Sequence, residues 1–376
     1  MKTYLVGGAV RDKLLGLEIK DHDWLVINSK PSCMIKLGFI KVGKQFPIFL
    51  HPETHEEYAL ARTEKKTGLG YQAFEVNTDN VSLIEDLKRR DLTINAMAID
   101  ENSTLHDPFH GQEDIKNKKL RHVSDAFCED PLRVLRVARF DAKLHFLGFT
   151  IADETCLLIK RQIISNNELE ALSSEHILQE INRALSTQNP EIFILTLQKL
   201  GAFQHILKPL YTLTLTKLKP LIQAIKMQCT DIGILLSLML INLDTEQQLL
   251  EILDELKPPK ITQLLCLKLY RHHFFFSQIY KHPKENILQS LKTIDALRNK
   301  SAFKRFLVTL RYIYHDTPHL LFNLHLTKEI QKSLTQHDYC LALKDICNKQ
   351  IIAKTVTKLQ LKLITETVDR ILQNKT

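Results

Sequence analysis

The sequence predicts an α/β or α+β front half followed by an almost wholly helical remainder, and three observations carry that prediction. Nine of the 11 glycines fall between Gly7 and Gly148, leaving only Gly201 and Gly233 beyond. Strand-like runs stop before Asp100, with helical stretches between several of them. From Pro131 onward, apolar residues recur at three- and four-residue spacing.

The expected elements follow in chain order. Tyr4–Val6 reads as a strand that runs into Gly7-Gly8-Ala9-Val10-Arg11-Asp12 and a helix. A glycine pair after a strand lets backbone N–H groups approach an anion, and a helix starting there turns its positive end toward phosphate. Arg11 is close enough in sequence to reach the same anion. A glycine turn alone is equally compatible with a plain tight turn. Asp21 and Asp23 lead into a strand, Trp24–Ile27, and positions i and i+2 of a strand face the same way, so both carboxylates can share a divalent ion. Glycine turn, arginine, helix-length spacer and D-x-D together suit a nucleoside triphosphate with its Mg²⁺.

Phe39–Val42, Pro47–Leu50, Glu57–Ala61 and Ala96–Ile99 read as further strands. Glu57 alternates with Ala59 and Ala61 and is a candidate third carboxylate, with a charged edge residue as the plain alternative. Thr63–Asn80, holding Lys65, Lys66, Gly68 and Gly70, shows no period and reads as a mobile loop. In Lys88-Arg89-Arg90-Asp91-Leu92-Thr93-Ile94-Asn95-Ala96, Asp91 and Thr93 offer turn-fixing oxygens and Arg90 is a triphosphate clamp. Asp107-Pro108-Phe109-His110-Gly111 reads as a turn.

Glu129-Asp130-Pro131 then opens a helix in which Arg133, Arg136 and Arg139 recur every three residues beside Leu132, Leu135 and Val137. A solvated basic face is one reading. The other is base selection: cytosine and adenine share an exocyclic amino donor beside a ring-nitrogen acceptor, so an accepting Asp130 and a donating Arg133 would choose C and A together. Leu132–Leu144, Ile177–Leu185, Ile192–Leu200 and Thr357–Leu372 are expected helices, and no internal repeat is visible.

Composition bounds the class. With 376 residues, 44% hydrophobic and 25% charged, the chain can form two or three packed units, which excludes disorder. Seven scattered cysteines without a C-x-x-C pair fit reduced thiols in a cytoplasmic protein. Met1–Val6 is too short for a signal peptide, and Ile232–Leu243 falls short of a membrane span. Residues 201–376 hold 25 Lys+Arg against 14 Asp+Glu, a net of +11, while residues 1–200 are net −3. That asymmetry suits a polyanion held by the C-terminal part, with solvated lysines as the plain alternative.

Together, the ordered motifs resemble those of the class II tRNA nucleotidyltransferases, the bacterial CCA-adding enzymes: Gly7–Asp12, Asp21-x-Asp23, Arg89-Arg90-Asp91-x-Thr93-x-Asn95-Ala96, Asp107-Pro108 with Gly111, and Glu129-Asp130-x-x-Arg133. The resemblance is specific over residues 4–140 and weak beyond. It implies an α+β fold: a polymerase-β-like head with a mixed sheet over 1–140, a helical neck over 141–205 with base recognition beginning at 129–139, and an all-α, tRNA-binding body and tail over 206–376. It implies CTP and ATP as donors, Mg²⁺, and the acceptor arm and 3′ end of tRNA as partner, with no membrane and no obligate protein partner. Carried over, Asp21 and Asp23 match the catalytic metal carboxylates. Gly8, Arg11 and Arg90 match the triphosphate site, Asp130 and Arg133 the protein template for the base, and Arg136 and Arg139 further nucleotide-binding arginines. A two-metal mechanism without covalent intermediate follows.

The chain departs from the family pattern in two places. In Leu172–Glu180, His176 stands where the family usually has arginine. No His-Asp run with a following Gly-Lys occurs after the neck, as in relatives with a phosphohydrolase domain, so no phosphohydrolase activity is expected. Bacterial poly(A) polymerases share the head but typically carry Gly-Arg-Arg-Phe where Gly43-Lys44-Gln45-Phe46 stands here, which favours CCA addition. A non-catalytic tRNA-binding protein would have no use for crowded, mutually repelling carboxylates.

Overall fold

The computed structural model describes residues 1–42, 48–66, 74–317, 319–344 and 348–373. The chain divides into two compact units, Met1–Tyr211 and Thr212–Thr376.

The first unit opens with β1 (Lys2–Val6), α1 (Gly8–Leu14), β2 (Asp23–Ile27) and α2 (Pro31–Lys36), followed by β3 (Ile40–Lys41), β4 (Ile48–Leu50) and β5 (Glu57–Leu60). A separate antiparallel hairpin of β6 (Thr63–Lys66) and β7 (Phe74–Asn77) precedes α3 (Leu83–Lys88), β8 (Ala98–Asp100) and β9 (Leu105–His106). Seven strands form one mixed sheet in the order β3-β4-β5-β2-β1-β8-β9. Only β2 and β5 run parallel, with Asp23 opposite Glu57, and all other neighbours are antiparallel.

Strand alternation sorts the side chains onto two faces. Tyr4, Val6, Leu25 and Ala98 join Ala61, Val81, Leu87 and Ala96 in one core. Val26 and Leu60 turn the other way, onto Met34 and Phe49. The first face ends at Asp23, one step before Leu25 on the same side, so the carboxylate stands where the apolar core gives way to a cleft.

Next come α4 (Gly111–Lys116), β10 (Lys119–Leu120), α5 (Leu132–Leu144), β11 (Thr150–Ile151), α6 (Asp153–Leu158), α7 (Ser174–Leu185) and α8 (Pro190–Leu200), with β10 and β11 paired in parallel. Helix α5 packs on α7 and α8 and runs unbroken across position 140. Val134, Leu135, Val137, Ala138, Ala142 and Leu144 are buried along it, and so is Arg133.

Every regular element described in the second unit is a helix: α9 (Lys219–Lys226), α10 (Ile232–Leu240), α11 (Glu246–Leu256), α12 (Lys260–Ser277), α13 (Lys284–Thr293), α14 (Lys300–Ile313), α15 (Leu320–Gln336), α16 (Cys340–Leu343) and α17 (Lys349–Gln373). The centre is α10, buried from Ile234 to Leu240, with α12 packed on it, on α14 and on α15. Among the described residues no helix is long and apolar enough to cross a membrane. No disulfide joins any of the six described cysteines.

The expected strands and helices are present with shifted ends. Helix α7 starts at Ser174 because the Ser173 hydroxyl accepts from the His176 N–H, and α8 starts at Pro190, which is pre-shaped for a first turn. Leu132–Leu144 coincides with α5. The expected loop over Thr63–Asn80 is corrected: β6 and β7 pair there, with Lys65 opposite Glu75 and Glu64 opposite Val76. β6 reads Thr-Glu-Lys-Lys with no apolar residue, and the alternation of β7, Phe-Glu-Val-Asn, spans four residues only, so the sequence signal is short. Its residues 67–73, like Gly43–Pro47, lie outside the described residues.

Candidate active site

A cavity of about 700 Å³ in the first unit gathers every candidate site residue: Gly8, Arg11, Asp21, Asp23, Arg90, Asp130, Arg133, Arg136 and Arg139. Glu57, from the strand beside Asp23, lines it too.

The glycine turn has a steric reason. Gly7 sits at φ 70°, ψ −127°, where side chains are rarely tolerated, and a Cβ there would lie 3.0 Å from Arg90 Nη1. The close approach brings a guanidinium onto the backbone at the start of α1, whose first turn has no side-chain cap. Arg90 lines the cavity and its Nη2 donates to Asp86 Oδ2 at 3.2 Å, while its Nε–H is buried with no partner among the described residues. An orphaned buried donor beside bare helix N–H groups fits an anionic oxygen.

Asp21 and Asp23 open to the same cavity. Burial raises the Asp23 carboxyl above its ordinary value and the neighbouring Asp21 charge raises it further, opposed by Arg90 and His22. Two hard oxygen donors that repel each other suit a divalent cation. Among the described residues, no group of three His, Cys, Asp or Glu is close enough to hold a metal, so Glu57 stays beside the pair.

The arginines of the cavity are held by partners, some of them shared. Arg11 Nε donates to Asp12 Oδ1 at 2.8 Å and its Nη1 to Asn95 Oδ1 at 2.6 Å. Asn95 Nδ2 in turn donates to Asp91 Oδ1 at 3.0 Å, and Asp91 Oδ2 accepts from Arg136 Nε at 2.8 Å. Asp12 Oδ2 accepts from Lys143 Nζ at 3.1 Å. The circuit leaves α5 at Arg136 and returns to it at Lys143, two turns on, through Arg11 and Asp12 of α1. Burial alone would raise the Asp91 carboxyl, but Arg136 and the donors of Asn95 and Leu92 hold it well below the carboxylate range, and Asp91 in turn raises Arg136. Arg11, Arg136 and Arg139 stand 5.1, 5.9 and 4.2 Å from the centroid of the Phe140 ring.

Asp130 and Arg133 are both engaged with backbone. Asp130 Oδ1 accepts from the Leu132 N–H at 3.0 Å, and Arg133 donates to the carbonyls of Ala126 and Arg89, each at 2.6 Å. The expected single stripe is thus a fan, since a step of three residues falls about 60° short of a full turn. Arg133 points to Ala126 and Arg89, Arg136 to Asp91, and Arg139 to Glu180.

Sequence reasoning missed Phe140, Lys143 and Arg183, which also line the cavity, and the buried carboxylates Asp86 and Glu180. Continuing the arginine spacing by four residues reaches Lys143, while Glu180 closes the Leu172–Glu180 motif, where the reading stopped at His176. Asp107 accepts from the Gly111 and Gln112 N–H groups at 2.7 and 2.9 Å and starts α4, the structural turn expected there.

A glycine turn on an uncapped helix, a carboxylate at the head of the next strand with a second two residues before it, and a wall of arginines define a nucleotidyltransferase. Residues 3–121 match the family described as the poly A polymerase head domain, and residues 148–213 match the probable RNA and SrmB-binding site of polymerase A. The CCA-adding enzyme of Actinobacillus succinogenes is 41% identical over 334 residues, covering 82% of this chain and 83% of that protein. This chain therefore belongs to the CCA-adding enzymes, whose nucleotidyl transfer is metal-dependent. The multifunctional CCA protein of Shewanella denitrificans is 57% identical over 214 residues, which span 57% of this chain and 52% of that one. The Thermotoga maritima CCA-adding enzyme complexed with tRNA shares the fold, with a TM-score of 0.68 at 21% identity over all of this chain and 92% of the other.

Proposed function

We propose that the chain adds C, C and A to the 3′ end of tRNA from CTP and ATP with release of pyrophosphate, and that the first-unit cavity performs the transfer. The observation that carries this reading is the meeting in one cavity of Asp21, Asp23, Arg90 and the arginine wall of α5. Asp21 and Asp23 would hold Mg²⁺, which when bound supplies Lewis acidity at the reacting phosphate and the attacking hydroxyl. Gly7 and Gly8 admit the triphosphate against the start of α1, and Arg90 and Arg11 neutralise its oxygens. Asp130 and Arg133 select the shared edge of cytosine and adenine, while Arg136 and Arg139 line the base side. The terminal 3′-hydroxyl of tRNA attacks in line at the α-phosphorus, and pyrophosphate leaves.

The division into head (1–140), neck (141–205) and body with tail (206–376) belongs to the same reading, supported by the unit boundary after Tyr211. The basic C-terminal part holds the tRNA backbone through phosphates. A cytoplasmic location accords with reduced thiols and with no described membrane-crossing helix.

The test is a tRNA transcript lacking its 3′ CCA, supplied with Mg²⁺ and CTP, ATP or both, with products resolved nucleotide by nucleotide. Ordered C, C, A addition is expected, lost with chelator and in Asp21→Ala while tRNA binding survives. Unchanged incorporation by Asp21→Ala would refute the assignment of the carboxylates.

A further inference from the structure

We propose that Glu56 is a positioning residue for the two metal carboxylates, acting by its hold on the residue that follows each of them, His22 after Asp21 and Trp24 after Asp23. The proposal rests on the reading of Asp21 and Asp23 as the metal pair. The two are not held equally. Strand β2 and its ladders to β1 and β5 begin at Asp23, which pairs with Val6 and Glu57, so Asp21 lies two residues outside the strand. The charges of Asp21 and Asp23 repel each other until a cation stands between them. A carboxylate outside the sheet, pushed by its neighbour, needs a tether if the pair is to keep one spacing.

Glu56 supplies that tether from the residue just before β5. Its Oε1 lies 3.2 Å from His22 Nδ1, and its Oε2 accepts from Trp24 Nε1 at 3.0 Å. An ionised carboxylate only accepts, so the imidazole nitrogen facing it carries its hydrogen whatever the charge of the ring. Strand alternation turns Trp24 and Tyr58 to the sheet face opposite Asp23 and Glu57, and there their rings stack with centroids 5.7 Å apart and 15° between planes. Glu56 is itself fixed. Its N–H donates to Thr54 Oγ1 at 3.4 Å, its carbonyl accepts from the His51 N–H at 3.0 Å, and its Oε2 accepts from Thr54 Oγ1 at 3.3 Å. Of the two adjacent glutamates, Glu57 lines the cavity, while Glu56 works through the neighbours of the carboxylates.

The experiment uses the full chain with Glu56→Gln, which keeps the length and loses the charge, and Glu56→Asp, which keeps the charge and loses the reach. Trp24 is the chain's only tryptophan and adjoins Asp23, so binding of Mn²⁺ added alone is followed by quenching of its emission. The Mg²⁺ dependence of CTP addition to a transcript lacking CCA is measured beside it, with thermal unfolding in parallel. Losing a group that touches metal ligands directly costs about 10–100-fold in metal affinity, and Glu56 touches only their neighbours. In both variants the Mn²⁺ midpoint and the Mg²⁺ concentration for half-maximal addition should therefore rise about three- to tenfold, with kcat at saturating Mg²⁺ within about threefold of wild type. Wild-type midpoints in both variants, whatever the melting temperature, would make Glu56 purely structural and overturn the proposal. So would a shift in Glu56→Gln with none in Glu56→Asp, since charge alone would then account for it. Wild-type protein that adds neither C nor A would instead overturn the proposed function, and the Mn²⁺ quench would still decide whether Glu56 positions the carboxylates.

Discussion

Replacing Asp91 by asparagine removes a charge while keeping the shape, and the structure gives the size of the effect. Asp91 is buried and accepts from the Leu92 N–H, Asn95 Nδ2, and Arg136 Nε and Nη2 at 2.8, 3.0, 2.8 and 2.7 Å. Asparagine can accept through one atom only, and its amino group would face either the Asn95 amide or the Arg136 guanidinium, donor to donor. Removing one partner of a buried ion pair costs about 3–5 kcal/mol. Arg136 keeps 33% of its side chain in solvent. Screening and rehydration of its guanidinium lower the expectation to about 2–3 kcal/mol. For a unit of this size that is a fall in melting temperature of about 4–12 °C, read by circular dichroism. Adding Arg136→Met removes the stranded cation and should recover at least half of the loss. The sign with pH is fixed: a carboxyl held below its unfolded value stabilises above about pH 4, and that stabilisation is lost as pH falls through the folded value. The gap between wild type and Asp91→Asn should therefore shrink below about pH 4. Equal melting temperatures at neutral pH, or a double variant no more stable than the single one, would refute the reasoning.

Two further outcomes follow from the same structure. Gly7→Ala must adopt a positive φ and push its Cβ to 3.0 Å from Arg90 Nη1. We expect a stability loss of about 1–3 kcal/mol and a raised KM for CTP in the transcript assay, whereas wild-type KM would show that Arg90 does not depend on the turn. The net +11 of residues 201–376 predicts that tRNA affinity falls steeply with salt. We expect about 100-fold or more between ~50 and ~200 mM, and a flat titration would contradict phosphate gripping.

What the sequence made legible was local. The glycine turn, Asp21 with Asp23, and the run from Glu129 to Phe140 each show their chemistry within a dozen residues, and all open onto one cavity. The partners that hold the arginines could not be read, because they are remote: Arg136 meets Asp91 across 45 positions, Arg139 meets Glu180 across 41, and Lys143 meets Asp12 across 131. Spacing alone also gave α5 one basic face, whereas each guanidinium turns toward its own carboxylate or carbonyl. The hairpin of β6 and β7 escaped because β6, Thr63–Lys66, holds no apolar residue and β7 alternates over four residues only.

The carboxylates set against the arginines bear on turnover. Asp12 answers Arg11 and Lys143, Asp86 answers Arg89 and Arg90, Asp91 answers Arg136, and Glu180 answers Arg139 and Arg183, so part of the wall's positive charge is met before any nucleotide arrives. A triphosphate entering such a wall gains orientation with less raw attraction than bare cations would give, which keeps its residence short. An enzyme that must release pyrophosphate and exchange one nucleotide for another at a single site gains from that restraint: a cavity of unopposed cations would hold its first product and stall.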